Sequence, residues 1–126
     1  EKIISLMGAK PKIMDVKTHD KSVAAISHLP FIVSNILFSS ASQNKKSLDI
    51  AAGGFRDTTR LASGNPTLHT DITVANKVNI LKQLDLFILE LNRTRSLIDQ
   101  GNRNNIKKFF IKNKVKRDEW LKEAKL

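Results

Sequence analysis

The chain has 126 residues, a length that suits one domain with a core of its own, and carries 22 Lys and Arg against 12 Asp and Glu, a formal charge of +10. With no cysteine it can form neither disulfides nor thiolate metal sites, which fits a cytoplasmic location. No stretch approaches the roughly 20 uninterrupted apolar residues of a bilayer-crossing helix, so no membrane partner is expected.

Residues 1–15 hold Gly8 and Pro11 within a broken apolar pattern. They have neither an initiator Met nor a basic region followed by an apolar run, so they read as a connector from something upstream rather than a leader. Thr18 to Gln43 reads as one long helix, capped by Asp15 or Thr18, with Val23, Ile26, Leu29, Val33, Ile36 and Leu37 at helical spacing. Pro30 lies inside it, removes the bond to the Ile26 carbonyl and should bend it. Ser47–Ala52 is expected as a short helix ended by Gly53 and Gly54, and 55–62 as one or two further turns. Asn65 before Pro66 matches an N-cap followed by proline at the first helical position. A second long helix then runs to Gln100, with Leu81, Leu84, Phe87, Ile88, Leu91 and Ile98 as its stripe and Gly101 just past its end. Residues 102–126 form a third helical candidate with Ile106, Phe109, Phe110, Trp120 and Leu121 on one side. This segment holds 9 basic and 3 acidic residues, leaving 13 and 9 for residues 1–101, so the excess charge lies mostly in the tail. No segment alternates as a strand would. The expectation is a single all-α domain over 1–126, with a connector at 1–15 and a basic C-terminal helix at 102–126.

Two groups of polar residues stand out. On a helical wheel of about 100° per residue, His19 and Ser27 share one wall near Pro30, whereas His28 points to nearly the opposite side from His19. The plain alternative makes His19 a surface residue and Ser27 a hydroxyl bonded to its own backbone. In Gly53–Ala62, the glycines allow close backbone approach. Arg56 and Arg60 share a helix face, and Arg60 offers a planar fork for a carboxylate or phosphate. The plain alternative there is a solvated Asp57–Arg60 pair three residues apart. No glycine-rich nucleotide loop and no metal-ligand spacing is present.

The run HDKSVAAISHLPF at 19–31, followed by AAGGFRDTTRLASGNPTLHTDITVANK at 51–77, resembles the C-terminal helical domain of the prephenate dehydrogenases, arogenate-using members included. The order and spacing of the blocks carry the likeness over residues 14–100. The resemblance implies a long-helix bundle of the phosphogluconate-dehydrogenase C-terminal-like type, acting as substrate-binding and dimerisation domain. In that family an upstream domain binds NAD or NADP and holds the catalytic histidine, so no catalytic residue is expected in this chain. The reaction implied is oxidative decarboxylation of prephenate to 4-hydroxyphenylpyruvate in tyrosine biosynthesis. Arg60 matches the arginine that binds a substrate carboxylate, His19 a substrate-pocket histidine and Ser27 a substrate-contacting serine. His28 belongs to the same motif as Ser27, with a structural or partner-facing role suggested by its orientation. Two departures stand out: Phe31 where members commonly carry His, which puts one polar substrate contact in question, and His69 where many carry Trp, which suggests a packing change.

A homodimer is also expected on length. A helix from Pro66 to Gln100 would run about 50 Å at 1.5 Å per residue, against about 30 Å for a globule of this size. Two other readings compete. A basic helical module could bind nucleic acid, but the tail lacks interleaved stacking aromatics and any helix-turn-helix signature. The tail could instead lie on a membrane surface, with Phe109, Phe110 and Trp120 among its lysines; a packed helix with a solvated lysine face is the plainer account.

Overall fold

The computed structural model describes residues 2–8 and 11–124, every regular element of which is helical. In chain order these are α1 (Lys2–Leu6), α2 (Val16–Val23), a π-helical turn (Ala24–His28), α3 (Leu29–Ser42), α4 (Lys45–Asp49), α5 (Gly53–Thr59), a 3₁₀ turn (Arg60–Ser63), α6 (Pro66–Ala75), α7 (Lys77–Asp99) and α8 (Arg103–Ala124). The all-α expectation holds. Helix α1 falls within the expected connector, whose residues 1, 9 and 10 lie outside the described set, as do residues 125 and 126 of the expected C-terminal helix. The chain divides into two compact units, residues 1–84 and 85–126.

In the first unit, Asp15 caps α2 by accepting a 2.9 Å bond from the Thr18 amide. That bond holds the Asp15 carboxyl below its ordinary value, since it favours the charged form. The expected bend at Pro30 takes the form of the π turn, in which the Leu29 amide reaches back five residues to Ala24. Proline has no amide to give the Ile26 carbonyl and its ring crowds that group, so a wider turn in front of it relieves both problems. The extra residue resets the helical register by roughly 100°. A single wheel therefore fails across the turn: the buried residues are Ala24, Phe31 and Ser34, while Ile26 and Ile36 of the expected stripe are exposed.

The helical run Val16–Ser42 is, by length and composition alone, apolar enough to cross a membrane, with a mean hydropathy of 1.5 over its best window. Polar residues such as Ser34 and Asn35 interrupt it, so no uninterrupted apolar run marks it in the sequence. Within the unit, α3 packs on α4, α5 and the 3₁₀ turn. Phe38 of α3 lies against Phe55 of α5 with ring centres 6.2 Å apart. The short helix forms at Lys45–Asp49, ahead of the expected 47–52, because Asn44 caps it by accepting from the Lys46 amide.

The second long helix is interrupted. Asn65 and Pro66 start α6 as expected, Asn65 accepting from the amides of Thr67 and Leu68. At Asn76 the backbone leaves the helical basin, with φ −106° and ψ 24°, and α7 begins at Lys77. The single 50 Å rod is therefore two helices. Asparagine is a poor helix former because its amide competes for backbone partners, and here its side chain is engaged elsewhere. Ile80, in the first turns of α7, is the third buried apolar side chain of the unit, with Ala24 and Phe31.

The second unit is the C-terminal part of α7 turning back into α8. Gly101 takes the left-handed conformation (φ +64°) just past the helix end, as expected. Asn102 caps α8 through the amides of Asn104 and Asn105. Phe87, Leu91 and Thr94 of α7 face Phe109 and Asn113 of α8. No described residue of this unit is buried.

Candidate functional site

The structure brings three of the four candidate residues together. His19, Ser27 and His28 line one shallow hollow in the first unit, with Asp20, Val23, Ile72, Ala75 and Asn76. The wheel had placed His28 on the side opposite His19; the register reset at the π turn brings it round to the same hollow. Ser27 is exposed there, and the hydroxyl that bonds back to its own helix is that of Ser22, to the Thr18 carbonyl at 2.7 Å. His19 Nδ1 lies 3.1 Å from Asp20 Oδ1, an exposed pairing of neighbours.

His28 is partly buried, and this desolvation pulls its imidazole below the ordinary histidine value of 6.5. The Asp20 charge opposes the shift and the nearby His19 adds to it. His28 is thus held toward the neutral form, able to offer one ring N–H and one lone pair.

Arg60 does not share this hollow. It opens the 3₁₀ turn after α5 and lines a second, larger hollow of about 690 Å³ with Phe38, Leu48, Phe55, Arg56 and Thr59. Buried Thr59 anchors that wall by donating to the Phe55 carbonyl at 2.7 Å. The Asp57–Arg60 pair of the plainer alternative is absent among the described residues. Asp57 instead takes the Nε–H of Arg56 at 3.3 Å, both side chains being largely exposed. Such a pair between solvated neighbours is worth little, and it leaves Arg60 with no acidic partner among the described residues. The two hollows are built on separate elements of one unit, with no described contact joining Arg60 to His19 or Ser27.

The glycines behave differently from expectation. A side chain at Gly54 would meet nothing within 4 Å, so no close approach inside the unit requires it. The tight place is Gly64, where a Cβ would lie 2.3 Å from the His69 ring. His69 in turn stacks on buried Phe31, with ring centres 4.2 Å apart and planes within 5°. The two departures from the family pattern are therefore one packed pair. Phe31 is 7% exposed, so in this unit it serves as core, beside an apolar hollow of about 420 Å³ lined by Ile32, Ile36, Pro66 and Val74.

Sequence reasoning missed Asn76. Its side-chain NH₂ donates to the Asp20 carbonyl at 2.7 Å and lies 3.2 Å from His28 Nδ1, while its carbonyl accepts from Asn79 at 2.7 Å. The signal was an asparagine in the middle of an otherwise continuous helical pattern.

Residues 15–112 match the family model described as the prephenate dehydrogenase dimerization domain, and the chain belongs to this family. Among curated relatives, the prephenate dehydrogenase of Bacillus subtilis is 35% identical over 109 residues, covering 83% of this chain and 29% of its own length. The chain thus spans under a third of that relative. The solved structure of Synechocystis arogenate dehydrogenase superposes with a TM-score of 0.84 at 29% identity, covering 94% of this chain and 45% of the other. That of an A. aeolicus prephenate dehydrogenase, solved with hydroxyphenyl propionate and NAD+, gives 0.80 at 26% identity with the same coverage.

Proposed function

We propose that this chain is the substrate-gripping and dimer-forming part of an NAD- or NADP-dependent dehydrogenase. Its reaction is the oxidative decarboxylation of prephenate, or of arogenate, in tyrosine biosynthesis. The observation that carries the reading is Arg60, a guanidinium without an acidic partner among the described residues, set at an apolar hollow large enough for a ring. A planar fork beside apolar surface suits a carboxylate attached to a six-membered carbon ring. His19, Ser27 and His28 line a separate hollow, and their assignment to the substrate rests on the family motif alone. Prephenate gives up its ring carboxylate as CO₂ while a hydride passes to the nicotinamide.

The described residues contain no strand and no glycine-rich phosphate loop, so they do not fit a dinucleotide. In this reading NAD or NADP is held mainly outside them, and the chain's own residues grip the substrate. Pairing of two copies is supported by the family to which the chain belongs and by apolar side chains left exposed on α7 and α8. The nucleic-acid and membrane-surface alternatives draw no support from the family match.

The test is Arg60→Ala in the enzyme that carries this chain. Loss of a charge-assisted contact of about 2–4 kcal/mol lowers kcat/KM for prephenate by about 30- to 1,000-fold. Arg60→Lys recovers part of the loss, keeping the charge without the fork. An unchanged kcat/KM in Arg60→Ala overturns the assignment.

A further inference from the structure

We propose that Asn76, at the break between α6 and α7, is a positioning residue that fixes which nitrogen of His28 carries the proton and so aims an Nε2–H donor from the second histidine of the hollow. The Asp20 carbonyl can only accept a hydrogen bond, so the Asn76 atom lying 2.7 Å from it must be the NH₂ group. The Asn76 oxygen then faces Asn79, whose NH₂ donates to it at 2.7 Å. The Asp20 carbonyl, which can only accept, thereby assigns both ends of the Asn76 amide, and the Asn79 NH₂ fits that orientation. The same NH₂ lies 3.2 Å from His28 Nδ1. An NH₂ can only donate, so Nδ1 must be the bare, accepting nitrogen. A neutral imidazole with a bare Nδ1 carries its proton on Nε2.

The same amide explains the helix break. One NH₂ hydrogen goes to a main-chain carbonyl at the end of α2, just before the π turn, and the other to a ring at the end of that turn. Asn76 therefore ties α6 and α7 to both sides of the distortion that Pro30 imposes. The groups that face the His28 ring are few. From α2 come His19 and Asp20, whose carboxylate is already engaged with the His19 ring at 3.1 Å. From α6 and the start of α7 come only amides and apolar side chains. From α3 comes Phe31, with its ring centre 6.0 Å away and itself stacked on His69. Among the described residues, the Asn76 NH₂ is the one hydrogen-bond partner of the His28 ring. A use of the Nε2–H toward substrate rests on the function proposed above; the protonation pattern does not.

The experiment is ¹⁵N spectroscopy of the whole enzyme labelled at histidine, with the His28 signals assigned by their loss in His28→Gln. Wild type near pH 7.5 should show Nε2 protonated and Nδ1 bare. Asn76→Asp replaces the donor with an acceptor of the same shape. It should move the proton to Nδ1 and raise the His28 titration midpoint by about 1–2 pH units, with the acidic limb of the kcat/KM profile moving alike. Asn76→Ala should give a mixture of the two tautomers. A protonated Nδ1 in wild type, or a His28 pattern and midpoint unaltered in Asn76→Asp, overturns the proposal. The wild-type spectrum decides the tautomer even where a variant fails to fold. An Arg60→Ala enzyme with unchanged kcat/KM and a His28 still protonated on Nε2 would remove the substrate reading while sustaining this one.

Discussion

The first compact unit, residues 1–84, buries Ala24, Phe31, Ser34, Thr59 and Ile80, whereas no described residue of the second, residues 85–126, is buried. The hydrogen bonds between side chains and distant groups differ in the same way. Asn76 reaches 56 residues back to Asp20 in the first unit, while in the second the side-chain bonds stay within a turn, as in the Lys114–Asp118 and Arg93–Glu90 pairs. The contrast separates two jobs. One unit uses its apolar residues to hold the two candidate hollows in place. The other buries none, with Ile88 52% and Phe110 64% exposed, although the first unit also leaves apolar side chains such as Ile26 and Leu68 in solvent. Apolar surface in that quantity, on helices whose ion pairs are local and solvated, is suited to burial against another chain.

Matched truncations in the two units test this contrast. Phe31→Ala removes a buried ring that stacks on His69 and lowers stability by about 3–5 kcal/mol. Phe110→Ala, measured by the same denaturant titration below the concentration at which copies pair, costs less than about 1 kcal/mol. Equal losses at the two positions would erase the distinction. A smaller effect is expected at Gly64, where the added methyl of Gly64→Ala meets the His69 ring and costs about 1–3 kcal/mol. His69→Ala, made together with it, opens the space and returns part of that loss, provided the collision is the cause.

The smallest effect concerns pH. The unfolded chain protonates His28 near its ordinary value of 6.5, and the folded chain only below that. Between those two values the unfolded state binds more protons, so stability falls as pH drops through this window and is level above it. The urea midpoint should decline from pH 7.5 to pH 5.5 more steeply in wild type than in His28→Gln. Identical slopes would show that His28 contributes nothing to the acid limb.

Much of this architecture is legible in the residues. Asn65–Pro66, Gly101 and Asp15 mark helix ends by chemistry that acts over three or four residues, and each does so in the structure. Pro30 announces a distortion but not its form. A bend would have kept the wheel intact, whereas the π turn shifts the register and moves His28 to the side of His19. Asn76 was hidden for a related reason: a helical pattern shows spacing, and the partners that break it lie 48 and 56 residues away. The pairing of Phe31 with His69 likewise joins residues that sequence spacing treats as unrelated. The candidate site was thus readable as a set of residue types, and its division into two hollows was not, because that division depends on which elements pack on α3.

The claim that the exposed stripe of α7 is completed by a second copy is met most directly by sedimentation equilibrium of the enzyme carrying this chain, at micromolar concentration. Wild type is expected at twice the subunit mass. For Leu91→Asp, which sets a charge into the exposed stripe, the dissociation constant is expected to weaken at least about 10-fold, or roughly 1.4 kcal/mol. A wild-type protein that sediments at the mass of one subunit would contradict it, as would a Leu91→Asp variant that pairs as tightly as wild type.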